Sequence, residues 1–215
     1  MPHPQVMIFD LGGVFIHHNP DPFQPHFVAQ HNAPEETLRN FYLQGHKEHE
    51  KGFVSSEKFY QRAVAEVGYA HDYARFRDDY CRTFDFRLNG EMYEFVQWLR
   101  RKHGGEIEFW LLSNINEIHL EFISCHWPGV FSSFLRVFLS CNMGCRKPDA
   151  EIYERALKEG ERSRHRCAFI DDLEVNGEYP RRIGMFFHKF ENVEKFKTWL
   201  PQIGVAIDQP RNLTS

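Results

Sequence analysis

Short blocks of uninterrupted apolar residues, many of them β-branched or aromatic, alternate along this chain with longer stretches in which apolar positions recur every three or four residues. The blocks at Val6–Phe9, 107–112, 135–139 and 167–170 have the length and composition of strands buried on both faces, and 185–187 is a weaker fifth. Between them, Met92, Phe95, Val96 and Leu99 share one helical face behind Asn89, a good N-cap. Asp149 stands in the same relation to Ile152, Tyr153, Ala156 and Leu157, and Asn192 to Val193, Phe196, Trp199 and Leu200. Strands alternating with helices predict an α/β fold with a parallel sheet covered on both faces.

Residues 17–88 break this rhythm. No strand pattern is convincing there, while helical patterns follow one another at 23–31, 34–44, 56–67 and 71–82, the third with Phe59, Ala63, Val64 and Val67 as its inner stripe. The expectation is a core made of 1–16 and 89–215 with a helical insert at 17–88. An insert placed directly after the first strand hangs over the carboxyl edge of the sheet, where open α/β folds bind ligands. No internal repeat or low-complexity tract interrupts the pattern, and the polar tail at 208–215 is expected to be loose. Pro180 fits the helix after Asp171 and Asp172 only if that helix starts late enough to hold it in the first turn.

Composition narrows the function classes. The chain has 215 residues, 42% hydrophobic and 26% charged, with a formal net charge of -4 that leaves 13 histidines uncounted. This balance offers no basic surface for a phosphate backbone, so nucleic acid is not an expected partner. No apolar run approaches membrane-spanning length, and Val6–Phe9 meets Asp10 too soon for a signal peptide. The five scattered cysteines suit a reducing compartment, and a cytoplasmic location is expected. Cys141 and Cys145 lack the partners of a tetrahedral metal site, and Cys167 reads as core.

The candidate chemistry sits at strand ends. Asp10 ends the first strand and Asp171-Asp172 ends another, so a parallel sheet brings three carboxylates to one edge. Such acids repel unless a cation or proton lies between them, and all-oxygen ligation suits Mg²⁺. Ser113 and Asn114 end a third strand with a hydroxyl and an amide, and Lys147 precedes a Pro-Asp helix start that could face an anion. Singly, each has an ordinary explanation as a cap, a turn or a solvated side chain. The aromatic residues, 21 Phe among them, read first as core, with Phe86, Trp110 and Trp127 as pocket candidates.

Their order, a strand-end Asp, a strand-end Ser-Asn, Lys-Pro, then a strand-end Asp-Asp followed by Asn176 and Gly184, resembles the four-motif pattern of the haloacid dehalogenase-like hydrolases. Within that superfamily it is similar to the branch of sugar-phosphate phosphatases and epoxide hydrolase amino-terminal phosphatase domains. The resemblance spans 6–188 and includes "HEKGFVSSEKFY", which looks like a stretch of that branch's cap. It implies a Rossmann-like parallel sheet core with an inserted helical cap domain, and a Mg²⁺-dependent phosphatase acting on a small, sugar phosphate-like phosphomonoester. Asp10 would be the nucleophile that forms an aspartyl-phosphate, and Ser113, Asn114 and Lys147 would hold the phosphoryl oxygens. Asp10, the carbonyl of Gly12 and Asp172 would bind Mg²⁺, with Asp171 close by or acting through water.

One position departs from the pattern. Most phosphatases of the superfamily carry a second aspartate where this chain has Gly12, and that acid protonates the leaving oxygen, an effect of typically ~10²- to 10⁴-fold. His17, His18, His46 and His49 are candidate replacements, each with an ordinary surface reading beside it. Two other functions stay open. Dehalogenation, in which Asp10 attacks carbon, would leave Asp171 and Asp172 unexplained, and a weakened member would bind a phosphorylated ligand or protein without turnover.

Overall fold

A computed structural model describes residues 3–19 and 23–207, so the tail at 208–215 lies outside the described residues. In chain order the strands are β1 (Val6–Phe9), β2 (Ile16–His17), β3 (Arg87–Leu88), β4 (Glu108–Ser113), β5 (Arg136–Leu139), β6 (Cys167–Asp171) and β7 (Phe186–Lys189). Helices α1 (Pro25–Val28), α2 (Glu35–Glu50), α3 (Ser56–Val67) and α4 (Tyr73–Thr83) precede β3. Helices α5 (Gly90–His103), α6 (Glu117–His126), α7 (Pro128–Phe131), α8 (Ser140–Met143), α9 (Ala150–Glu159), α10 (Glu174–Arg182) and α11 (Val193–Trp199) follow it.

Five strands form one parallel sheet in the order β5-β4-β1-β6-β7. Side chains alternate across it, as the pleat requires. Met7, Phe9, Leu111 and Ile170 pack with Met92 and Val96 of α5 and Phe196 of α11 on one face. Val6, Ile8, Trp110 and Phe169 pack with Ile152, Tyr153 and Ala156 of α9 on the other. Because both faces are covered, the central strands read as unbroken apolar runs. This is the expected Rossmann-like α/β architecture.

The chain leaves this core after β1 and returns before α5, and the two crossings pair with each other. β2 and β3 run antiparallel, Ile16 opposite Leu88 and His17 opposite Arg87, a two-residue ribbon too short to show a strand pattern in the sequence. Between them α1–α4 bury an aromatic-rich cluster of their own, including Phe27, Tyr42, Phe59, Phe76 and Tyr80, to which α6 adds Ile118.

Several elements differ from their expected bounds. The helix expected at 23–31 is regular only over Pro25–Val28, after which Gln30 N–H and His31 N–H bond three residues back, to Phe27 and Val28. α2 continues to Glu50, beyond the expected 44, because His49 and Glu50 are buried polar residues and not a solvated end. Val64 faces outward at 41% exposure, since the inner stripe of α3 is the strict i, i+4, i+8 set Phe59, Ala63 and Val67. Pro180 lies near the end of α10 and not in its first turn. The carbonyl four residues earlier, on Asn176, thereby loses its helical donor and accepts instead from Tyr153 Oη at 2.7 Å.

Candidate active site

Register sets the site. Phe9 pairs with Leu111 of β4 and with Ile170 of β6, which brings Asp10, Ser113 and Asp171 to the same carboxyl edge. Asp10 N–H continues the ladder to the Ile170 carbonyl at 2.9 Å, and its side chain accepts from Leu11 N–H at 2.6 Å. Gly13 has φ of 68°, and a Cβ there would overlap the carboxylate of Asp172. Glycine at 13 is therefore required twice, by its left-handed backbone and by the approach of an acid. Gly12 is not left-handed, and a Cβ on it would meet the ring of His18 at 3.4 Å.

Lys147 is 1% exposed, and its ammonium lies 2.8 Å from Asp10 Oδ1 and 2.7 Å from Asp171 Oδ2. Burial works against that charge, but the two carboxylates outweigh it and hold the amine above its ordinary pKa. Burial pushes the Asp10 carboxyl well above its usual range, against the pull of Lys147 and with help from Asp171. Burial, with Asp171 beside it, raises Asp172 as well. Oxygens of Asp10, Asp171 and Asp172 lie within 4.8 Å of one another. Both oxygens of Asp171 are already engaged, by Asn176 Nδ2 at 2.9 and 3.1 Å, by Leu173 N–H at 2.9 Å and by Lys147. Asp171 is the fixed acid of the three.

The Ser-Asn pair splits in two. Asn114 spends both ends of its amide on the backbone of Lys147, donating to the carbonyl at 3.0 Å and accepting from the N–H at 2.8 Å. It braces the loop that delivers the ammonium. Ser113 is buried beside it, and among the described residues its hydroxyl has only a 3.4 Å contact to the Asn114 carbonyl. Both line a cavity of about 100 Å³ between the sheet edge and the insert, together with Gly12, His18, His46 and Glu50. Of the other histidines named from sequence, His17 lies exposed on β2, and His49 is fully buried and bonded to Ser56 Oγ at 3.0 Å.

Two polar features of the site carried no signal of their own in the sequence. Glu50 lies at the end of α2, 2.9 Å from Arg146 and 3.2 Å from His46; burial opposes its charge, but His46 and then Arg146 prevail and hold its pKa below the ordinary value. His119 is buried in the wall of the cavity, and burial lowers its pKa well below the ordinary value, keeping the ring neutral. Asn116 Oδ1 accepts from His119 N–H at 3.0 Å, so its amide nitrogen is the donor to His119 Nδ1 at 3.0 Å. The proton of His119 then lies on Nε2, which has no hydrogen-bond partner among the described residues.

The model of the haloacid dehalogenase-like hydrolase family matches residues 4–177, and the chain belongs to that family. A sesquiterpene phosphatase of Aspergillus oryzae is 25% identical over 189 residues, 83% of this chain and 85% of the relative. A drimenol cyclase of Aspergillus calidoustus is 26% identical over 157 residues, 72% of this chain but only 28% of that much longer protein. A family enzyme of Bacteroides thetaiotaomicron shares the fold with a TM-score of 0.76 at 21% identity, covering 88% of this chain and 94% of the other. That enzyme has also been solved in complex with magnesium and inorganic phosphate. No helix among the described residues is long and apolar enough to cross a membrane.

Proposed function

We propose that this chain is a Mg²⁺-dependent phosphomonoesterase in which Asp10 is the nucleophile. The observation that carries the reading is the position of Asp10, whose carboxylate lies 2.8 Å from the buried Lys147 ammonium and beside Asp171 and Asp172. The all-oxygen donor set, with two of its carboxyls pushed up in pKa by burial and by the neighbouring acids, fits a hard divalent cation. Asp10, Asp172 and the Gly12 carbonyl would hold it, with Asp171 aimed through Asn176 and acting at one remove. When bound, Mg²⁺ screens an anionic nucleophile from an anionic substrate and offsets charge on the phosphoryl oxygens.

In this mechanism an Asp10 oxygen attacks phosphorus as the bond to the leaving oxygen breaks, and water then hydrolyses the aspartyl-phosphate. Lys147 and Ser113 neutralise the phosphoryl oxygens, and Asn114 acts by holding the Lys147 backbone. The insert at 17–88 serves as the cap, with its cavity-facing residues His18, His46 and Phe84 over the leaving group. The related phosphatase and the neighbour solved with magnesium and phosphate support the same assignment. Attack at carbon, by contrast, gives Asp172 and the cluster around it no work to do.

The test is hydrolysis of an aryl phosphate, whose good leaving group needs little protonation, with and without Mg²⁺. Turnover is expected only with the metal and is expected to fall at least about a thousandfold in Asp10→Asn. Metal-independent turnover, or an Asp10→Asn enzyme as active as the wild type, would refute the reading.

A further inference from the structure

Beyond the small cavity at the sheet edge, the insert encloses a second one of about 200 Å³. The two share His18, His46 and Phe84 as walls, so the second chamber adjoins the first. Its other walls are Asn19, Phe23, Phe27, Tyr42, Leu43, Tyr80 and Thr83.

Most polar atoms in those walls are already spent. His31 Nδ1–H donates to the Phe27 carbonyl at 2.9 Å, so its Nε2 accepts from Tyr42 Oη at 2.6 Å. His46 Nε2–H points to Glu50 at 3.2 Å, and its Nδ1 is bonded to Tyr80 Oη at 2.6 Å. Thr83 Oγ1 donates to the Tyr80 carbonyl at 2.7 Å. What these residues leave for a ligand is mostly ring faces and methyl groups, the His18 ring and the Asn19 amide being the remaining polar side chains in the wall. A sugar placed there would lose water from its hydroxyls and find few partners in exchange, whereas a hydrocarbon would lose nothing. The first chamber differs, because polar side chains wall it, Ser113, Asn114, His46, Glu50 and His119 among them.

We propose that the second cavity is the leaving-group subsite and takes a hydrocarbon, so that the substrate is the monophosphate of an apolar alcohol and not a sugar phosphate. The proposal rests on the phosphatase reading and narrows it. The phosphate sits at Asp10 and Lys147, the ester oxygen passes His119, and the aliphatic or aromatic body packs among Phe23, Phe27, Tyr42, Tyr80 and Phe84. The volume suits a group somewhat larger than benzene, which an apolar cavity of about 150 Å³ can hold.

Two measurements test this. The first is kcat/KM with Mg²⁺ for linear alkyl phosphates of increasing length and for a hexose phosphate, with an aryl phosphate as reference. The expected result is a gain of up to roughly fourfold per added CH₂ that levels off near about seven carbons, with the hexose phosphate below the longer alkyl esters. The second is the affinity of alkylphosphonates of the same lengths by titration calorimetry, which needs no turnover and is expected to tighten in parallel. Leu43→Trp, a change at the 55% exposed rim of the cavity, is expected to collapse the ratio of long to short esters. Aryl phosphate turnover with no dependence on chain length, or with the hexose phosphate preferred, overturns the proposal and leaves the phosphatase reading standing. Absence of all metal-dependent turnover overturns the phosphatase reading instead. The phosphonate series then decides the cavity: tightening with length upholds a hydrocarbon site, and a flat series removes it.

Discussion

The sheet edge and the helical insert solve different problems with different groups. At the edge, the ionisable groups of Asp10 and Asp171 both lie within hydrogen-bond distance of the Lys147 ammonium, with Asn114 and Asn176 fixing their supports. In the insert, tyrosine hydroxyls bond histidine rings, Tyr42 with His31 and Tyr80 with His46, set among packed rings. Charges aimed at one point suit a reaction in which charge moves, whereas a wall of self-satisfied aromatics suits recognition by shape. The regions meet at Glu50, which belongs to the insert by sequence and to the edge by character, paired with Arg146 of the core.

Removing the central charge should have the largest effect. Lys147→Met leaves Asp10 and Asp171 facing each other in a buried site, so a loss of about 3–5 kcal/mol in unfolding free energy is expected, part of it recovered on adding Mg²⁺. Urea denaturation with and without the metal measures both, and an unchanged midpoint would show that the acids need no ammonium. Arg146 and Glu50 invite a smaller version of the same experiment across the junction. Glu50→Gln is expected to cost about 2 kcal/mol, and a double-mutant cycle with Arg146→Met should show coupling of about 1–3 kcal/mol.

Protonation separates the two regions by sign. Burial, and then the neighbouring His46, lowers His49 to about 4, so the folded protein refuses a proton that the unfolded chain accepts below about 6.5. Stability from this group is therefore complete at neutral pH and lost as pH falls from about 6.5 to 4. The carboxyls of Asp10 and Asp172 behave oppositely. Their folded pKa values are raised, so their stabilisation is present below the ordinary carboxyl range and lost as pH rises through the raised values, unless a cation is supplied. Relative to His49→Gln, the wild type should lose about 2 kcal/mol between pH 7 and 4.5, allowing for incomplete protonation. Added Mg²⁺ should stabilise at pH 7 and do little at pH 4. The smallest change concerns Gly12, where an added Cβ meets the ring of His18 at 3.4 Å. Gly12→Asp should leave stability within about 1 kcal/mol and raise turnover of alkyl phosphates by about tenfold or more, while aryl phosphates gain less.

The edge was more legible in the sequence than the insert. Asp10, Ser113 and Asp171 each close an apolar run, so the strand pattern alone places them at one level once the sheet is parallel. Asn114 was legible as a site residue, but its geometry was not. An amide at a strand end looks the same whether it faces a phosphate or holds the Lys147 backbone. In the insert, helical spacing identified the elements yet misjudged their ends, because His49 and Glu50 look like surface residues until Ser56 and Arg146 are seen beside them. His119 gave no signal at all, since a histidine on a helix face reads alike whether Asn116 sets its tautomer or solvent does.

Pro180 carries a consequence for how the reactive edge is held. By breaking the bond to Asn176 it frees a carbonyl that Tyr153 of α9 then anchors, while the amide of the same asparagine grips Asp171. The aim of a sheet-edge acid thus depends on a phenol in the layer beneath. Loosening α9 would blur the charge cluster while every strand of the sheet stayed paired.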